Sequence, residues 1–217
     1  MVTFITGPDD NKQTFSVHRS LACAASPFFK AAFESNMIEG TTQTMHLEDV
    51  EADVFGVLVH HLYSHELDES SFVIIDDATG ESCDFDFLLL ARLWKLGERF
   101  LMPALQNDVV IELLEGRDGV SDERLKKFAV YVCATEGDPK EDGPQGKLKR
   151  LLLEIVAFTE YRSLFTNIMP SLSIDMVIEV AHVLKEHVAV HYIDRRRVDI
   201  QQDFFVEVQD EERRLEN

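Results

Sequence analysis

The chain has 217 residues, 45% of them hydrophobic and 28% charged, with six prolines and ten glycines. These are values for a globular protein with a core of its own, and they exclude collagen-like and long disordered chains. Forty acidic residues face 21 basic ones, for a net charge of −19. Duplex DNA and anionic lipid are held by Lys and Arg against phosphate, and the longest basic run is Arg195-Arg196-Arg197. Neither nucleic acid nor membrane is therefore an expected partner. No stretch reaches the ~18–20 uncharged apolar residues of a membrane span. Residues 1–10 lack the basic and apolar regions of a signal peptide, so the expected location is the cytoplasm, the nucleus or both.

Val2 to Thr6 is β-rich and is followed by a turn cluster from Gly7 to Lys12, after which Thr14 to Val17 resumes the strand pattern. This spacing predicts a hairpin. The period then changes: Leu21, Ala24, Ala25, Phe28, Phe29, Ala32 and Phe33 recur at three and four. Ser26-Pro27 fits an N-cap followed by proline at the first helical position, so two short helices should meet there. Gly40 is expected to end the run, and Thr44 to Leu47 is a short strand candidate.

Asp49 is expected to cap a helix over roughly 51–64, whose inward stripe is Val54, Phe55, Leu58, Val59, Leu62 and Tyr63. From Ser64 to Asp86 there are eight acidic residues and no Lys or Arg, which reads as an acidic loop carrying one edge strand, Phe72 to Ile75. Phe87 to Phe100 predicts a helix buried on most sides, with Arg92, Lys95 and Arg99 as its polar stripe. Pro103 opens a helix that Gly116 stops. Further helices are expected from a Ser121 cap, from Leu148 to Phe158 and around Met176 to Leu184, with an acidic linker over 136–146.

Catalytic and metal chemistry find little support. The three cysteines, Cys23, Cys83 and Cys133, are far apart and form no C-x-x-C, so they read as free thiols. His61/His65 and His187/His191 are each spaced to share a helix face, but neither pair has H-E-x-x-H form or an evident third ligand. Nucleophile-elbow, P-loop and dinucleotide-binding patterns are missing from the sequence. We therefore expect no enzyme, no catalytic residue, no cofactor and no metal.

Several segments in order carry a resemblance. Phe15-Ser16-Val17-His18-Arg19-Ser20-Leu21 is similar to an F-x-V-H-[KR]-x-L signature, and Ser26-Pro27-Phe28-Phe29 to an S-x-[FY]-F helix start. Leu47-Glu48-Asp49-Val50, then Phe55 and Leu62-Tyr63, resembles an L-x-D-V … F … L-Y segment. Leu90 to Leu93 and Phe100 to Leu105 resemble a closing helix pair. These are the motifs of the BTB/POZ domain, and the acidic insert is similar to that of fungal members. The resemblance implies an α+β fold: residues 1–116 as a BTB/POZ domain, a small sheet on a helical cluster, followed by an all-helical C-terminal extension over 117–217. It makes Phe15, His18, Phe29 and Asp49 structural signature positions, with His18 a hydrogen-bonding residue at the strand-to-helix junction.

The resemblance also implies function through protein partners. Members that bind a cullin carry a hydrophobic-x-Glu motif in the loop after the second helix, and Met37-Ile38-Glu39 stands at the matching place. There Met37 would fill a partner pocket and Glu39 would hold the loop by a local hydrogen bond. The expected function is a substrate adaptor of a cullin-RING ubiquitin ligase. A BTB scaffold or homodimerisation module without ubiquitin chemistry, and a chromatin-associated regulator acting through partners, remain as alternatives.

Overall fold

The computed structural model describes residues 1–8, 10–75, 82–135, 145–158 and 166–185. Part of the acidic loop (76–81), most of the expected linker (136–144), His187, His191 and Arg195 to Arg197 lie outside the described residues.

Strand β1 (Val2–Thr6) alternates buried and half-buried residues, with Val2, Phe4 and Thr6 inward. It pairs antiparallel with β2 (Gln13–Val17), Phe4 opposite Phe15, and parallel with β3 (Thr44–Leu47), Phe4 opposite Met45. The order β2-β1-β3 puts the first strand in the centre. A parallel pair needs a crossover. Three short helices supply it: α1 (Arg19–Ala25), α2 (Pro27–Glu34) and α3 (Ile38–Thr42).

The core sits between this sheet and the longer helices α4 (Ala52–Ser64), α5 (Phe87–Arg99) and α6 (Pro103–Glu115). The rings of Phe29, Phe33 and Phe55 all lie within 5.5 Å of the Phe4 ring, centroid to centroid. Phe100 lies 4.6 Å from Phe29. Phe29, Phe55, Leu58, Leu62 and Leu93 are all at most 1% exposed, so these stripe positions face one core, whereas Tyr63, expected inward on α4, is 46% exposed.

Beyond α6 the chain continues as α7 (Asp122–Thr135), α8 (Gln145–Phe158) and a helix over 174–185. Phe128 of α7 meets Phe87 of α5 edge-on at 5.6 Å.

Three local expectations are corrected. Asp49 does not cap α4. Glu51 is the N-cap, without a side-chain bond, and the Asp49 carboxylate instead accepts from Arg99 at 2.7 Å. Gly40 does not end a helix but lies inside α3, which Gln43 closes in the left-handed conformation at φ 52°. The strand Val73–Ile75 (β4) is not alone: it pairs with β5 (Ser82–Phe85) as a two-stranded unit. The polar content of β5 hid it. Asp84 turns its carboxylate to the start of α7, accepting from the Ser121 N–H at 2.8 Å and hydroxyl at 2.7 Å, and pairing with Arg124 at 3.0 Å.

Candidate functional site

The segment 35–43 joins α2 to β3. Ser35 ends α2, and its hydroxyl donates to the Ala32 carbonyl at 2.8 Å while accepting the Met37 N–H at 3.1 Å. These bonds hold a three-residue bend, Ser35 to Met37, after which α3 starts. The Met37 carbonyl accepts from both the backbone N–H (3.0 Å) and the hydroxyl (3.1 Å) of Thr41, and the Ile38 carbonyl from the Thr42 hydroxyl at 2.8 Å.

At the far end, Gln43 reaches back. Its amide donates to the Gly40 carbonyl at 2.7 Å and to the Phe33 carbonyl at 3.1 Å. The Gln43 carbonyl accepts the Thr3 N–H at 2.9 Å, tying the turn to β1. Gly40 packs so closely on α2 that a Cβ there would stand 1.9 Å from the Ser35 carbonyl oxygen. Glycine is the residue that permits such a backbone approach.

On this mount two neighbouring apolar side chains face solvent: Met37 is 69% exposed and Ile38 71%. Apolar side chains left in water gain on the order of 1.5–3 kcal/mol each when a partner buries them fully. Glu39 is half-buried, and among the described residues its carboxylate makes no hydrogen bond. The expectation of a Glu39 bond holding a loop is therefore corrected: Glu39 lies within α3, just after the bend that carries Met37, and Ser35, Thr41 and Gln43 hold the segment.

The signature positions serve the scaffold. The Tyr63 hydroxyl accepts the His18 N–H at 3.1 Å and lies 2.9 Å from His18 Nδ1, which sets the strand-to-helix corner against α4. Phe15 is half-buried against Phe55, with ring centroids 5.2 Å apart. Phe29 is fully buried in the aromatic cluster. Asp49 stands with Arg99 and does not join Met37 and Glu39. His61 is buried and pairs through Nε2 with Asp108 at 2.8 Å, whereas His65 is an exposed left-handed residue at φ 59° after α4.

A family model described as the BTB/POZ domain matches residues 2–110, half of the chain. The chain belongs to the BTB/POZ family. Among curated relatives it is similar to Kelch repeat and BTB domain-containing protein 8 of Rattus norvegicus, at 34% identity over 138 residues, 64% of this chain and 20% of that protein. The Homo sapiens protein of that name is 33% identical over the same shares. Kelch-like protein 40 of Xenopus tropicalis is 43% identical over 54 residues, 25% of this chain and 9% of that protein. The chain thus spans at most about a fifth of the length of these relatives.

BTB/POZ domains are interaction modules rather than enzymes, so what matters in this BTB/POZ chain is which side chains a partner can reach. Among the described residues no helix is long and apolar enough to cross a membrane. Sequence reading singled out Met37 and Glu39 but missed Ile38, the more exposed neighbour. It also missed Ser35, Gly40 and Gln43, which fix the segment. The Gly40-x-x-Gln43 spacing, a glycine ahead of a residue whose amide can reach back, was the signal available.

Proposed function

We propose that this BTB/POZ chain is an adaptor of a cullin-RING ubiquitin ligase and meets its cullin through Met37, Ile38 and Glu39. The observation that carries the reading is the pair of exposed apolar side chains at the start of a helix braced at both ends. A braced surface loses little conformational freedom on binding, so more of the burial energy appears as affinity. Met37 and Ile38 supply the apolar anchor, and the Glu39 carboxylate, without a partner among the described residues, meets a donor on the cullin. In this reading residues 1–116 are the cullin-binding unit, residues 117–217 are the extension that serves target recruitment, and the protein works in the cytoplasm or nucleus.

The test is retention of the full chain on an immobilised cullin N-terminal domain. Wild type should be retained, and Met37→Ala and Glu39→Ala should be retained less while unfolding at the wild-type temperature. If no cullin retains the wild type, the reading falls to the alternative of a scaffold or homodimerisation module.

A further inference from the structure

A second surface lies where α5 meets α7, away from the residues assigned to the cullin. A groove of about 540 Å³ runs between the two helices. Its floor is apolar: Leu88 of α5 with Val130 and Ala134 of α7, and Val130 is 62% exposed. α7 already buries Leu125, Phe128, Ala129 and Val132 in the core, so Val130 lies on the opposite side of the helix. The wall includes the half-buried ring of Tyr131, whose phenol pKa is pushed up by burial.

The rim reverses the charge of the molecule. Among the described residues Arg92, Lys126 and Lys127 line the groove with Glu123 as its one acidic residue, in a chain of net charge −19. Lys126 makes no ion pair among the described residues. Lys127 pairs with Glu123 at 2.8 Å across one exposed helical turn, a contact that contributes little and exchanges readily for a ligand carboxylate. Arg92 is held at one end by Glu51, with its guanidinium carbon 5.9 Å from the Tyr131 ring centre.

We infer that the α5–α7 groove is a docking site for an acidic amphipathic peptide segment of another protein. Its apolar side chains lie over Leu88, Val130 and Ala134, and its carboxylates meet Lys126 and Lys127. The argument is charge complementarity: an apolar floor bordered by cations selects a ligand that is both apolar and negative. Residues 123–134 of α7 extend about 17 Å along the groove, room for roughly three helical turns of such a segment. The inference stands whether or not α3 binds a cullin. If it does, this groove is where the adaptor holds its target.

The test is a selection of random 12-residue displayed peptides on the full-length chain, with prior depletion on the Lys126→Glu/Lys127→Glu variant. Peptides that are net acidic, with apolar residues spaced at three and four, are the expected survivors. By fluorescence anisotropy they should bind Lys126→Gln/Lys127→Gln and Val130→Asn at least tenfold more weakly than wild type, lose affinity with added salt and bind Met37→Ala unchanged. Unfolding temperatures of the variants should stay at the wild-type value, since the substituted side chains are exposed or half-exposed. No surviving peptides, survivors without acidic character, or binding to phosphatidylserine vesicles in place of peptide would overturn the inference.

Discussion

The Ser26 hydroxyl donates to the Phe100 carbonyl at 2.6 Å and accepts the Phe29 N–H at 3.0 Å. One buried side chain thus caps the start of α2 and satisfies a carbonyl at the end of α5, 74 residues away. Ends of helices leave such groups without intrahelical partners, and burial makes an unmet carbonyl costly. Ser26→Ala removes both bonds. It should destabilise the fold by about 2–3 kcal/mol, the sum of a lost cap and an orphaned acceptor, read from denaturant unfolding.

Gly40 and Gly146 make a matched pair. A Cβ at Gly40 collides with the Ser35 carbonyl, whereas at Gly146, in the first turn of α8, nothing stands within 4 Å. Gly40→Ala must displace the α3 backbone from α2, so it should lower stability by about 2 kcal/mol or more, as overpacking does. Gly146→Ala should be neutral or stabilising by about 0.5 kcal/mol, because it restricts the unfolded chain without cost in the native one. Thermal unfolding of both variants side by side checks the contrast.

His61 donates its Nε2–H to the Asp108 carboxylate at 2.8 Å, while its buried Nδ1 has no hydrogen-bond partner among the described residues. Asp108→Ala leaves both ring nitrogens unmet and should cost about 1–3 kcal/mol. Replacing both groups, as His61→Leu/Asp108→Leu, should cost less than Asp108→Ala alone, since no polar atom is then stranded. Urea unfolding of the two variants decides the order.

Glu112 on α6 has its carboxyl pKa raised, first by burial and then by the carboxylates of Glu115, Glu69 and Asp108. The folded chain therefore binds this proton more tightly than the unfolded chain, and the ionised side chain opposes folding at neutral pH. Glu112→Gln should raise the unfolding temperature at pH 7. The gain should shrink as pH falls through the carboxylate range and vanish below about pH 4. A gain that persisted at low pH would point to packing instead of charge.

Legibility in the sequence followed the strength of each local signal. Helices α4, α5 and α6 were plain because long stripes such as Val54-Phe55-Leu58-Leu62 admit one periodicity, and Pro103 and Gly116 mark the ends of α6. The first hairpin was equally plain from alternation around a turn cluster. Strand β5 was not, because Asp84 breaks its apolar pattern, and its carboxylate is met by Ser121 and Arg124, 37 or more residues further on, besides the neighbouring Phe85 N–H. Asp49 misled in a similar way: an Asp near a helix start suggests a cap, yet Arg99 lies within reach and takes it. At the candidate site, Met37 and Glu39 could be placed only through the family's motif. The support from Ser35, Gly40 and Gln43 depends on how closely α3 approaches α2, and the Gly40-x-x-Gln43 spacing is the one trace of it in the sequence.

The central claim is that α3 carries a partner-binding surface separate from the folding core, and a calorimetric titration tests it most directly. A cullin N-terminal domain is titrated into wild type and into Met37→Ala, with thermal unfolding measured on the same samples. Loss of an exposed anchor should weaken binding by about 2 kcal/mol, some thirtyfold, at an unchanged unfolding temperature. A Met37→Ala protein that loses stability yet binds as tightly as wild type would contradict the account.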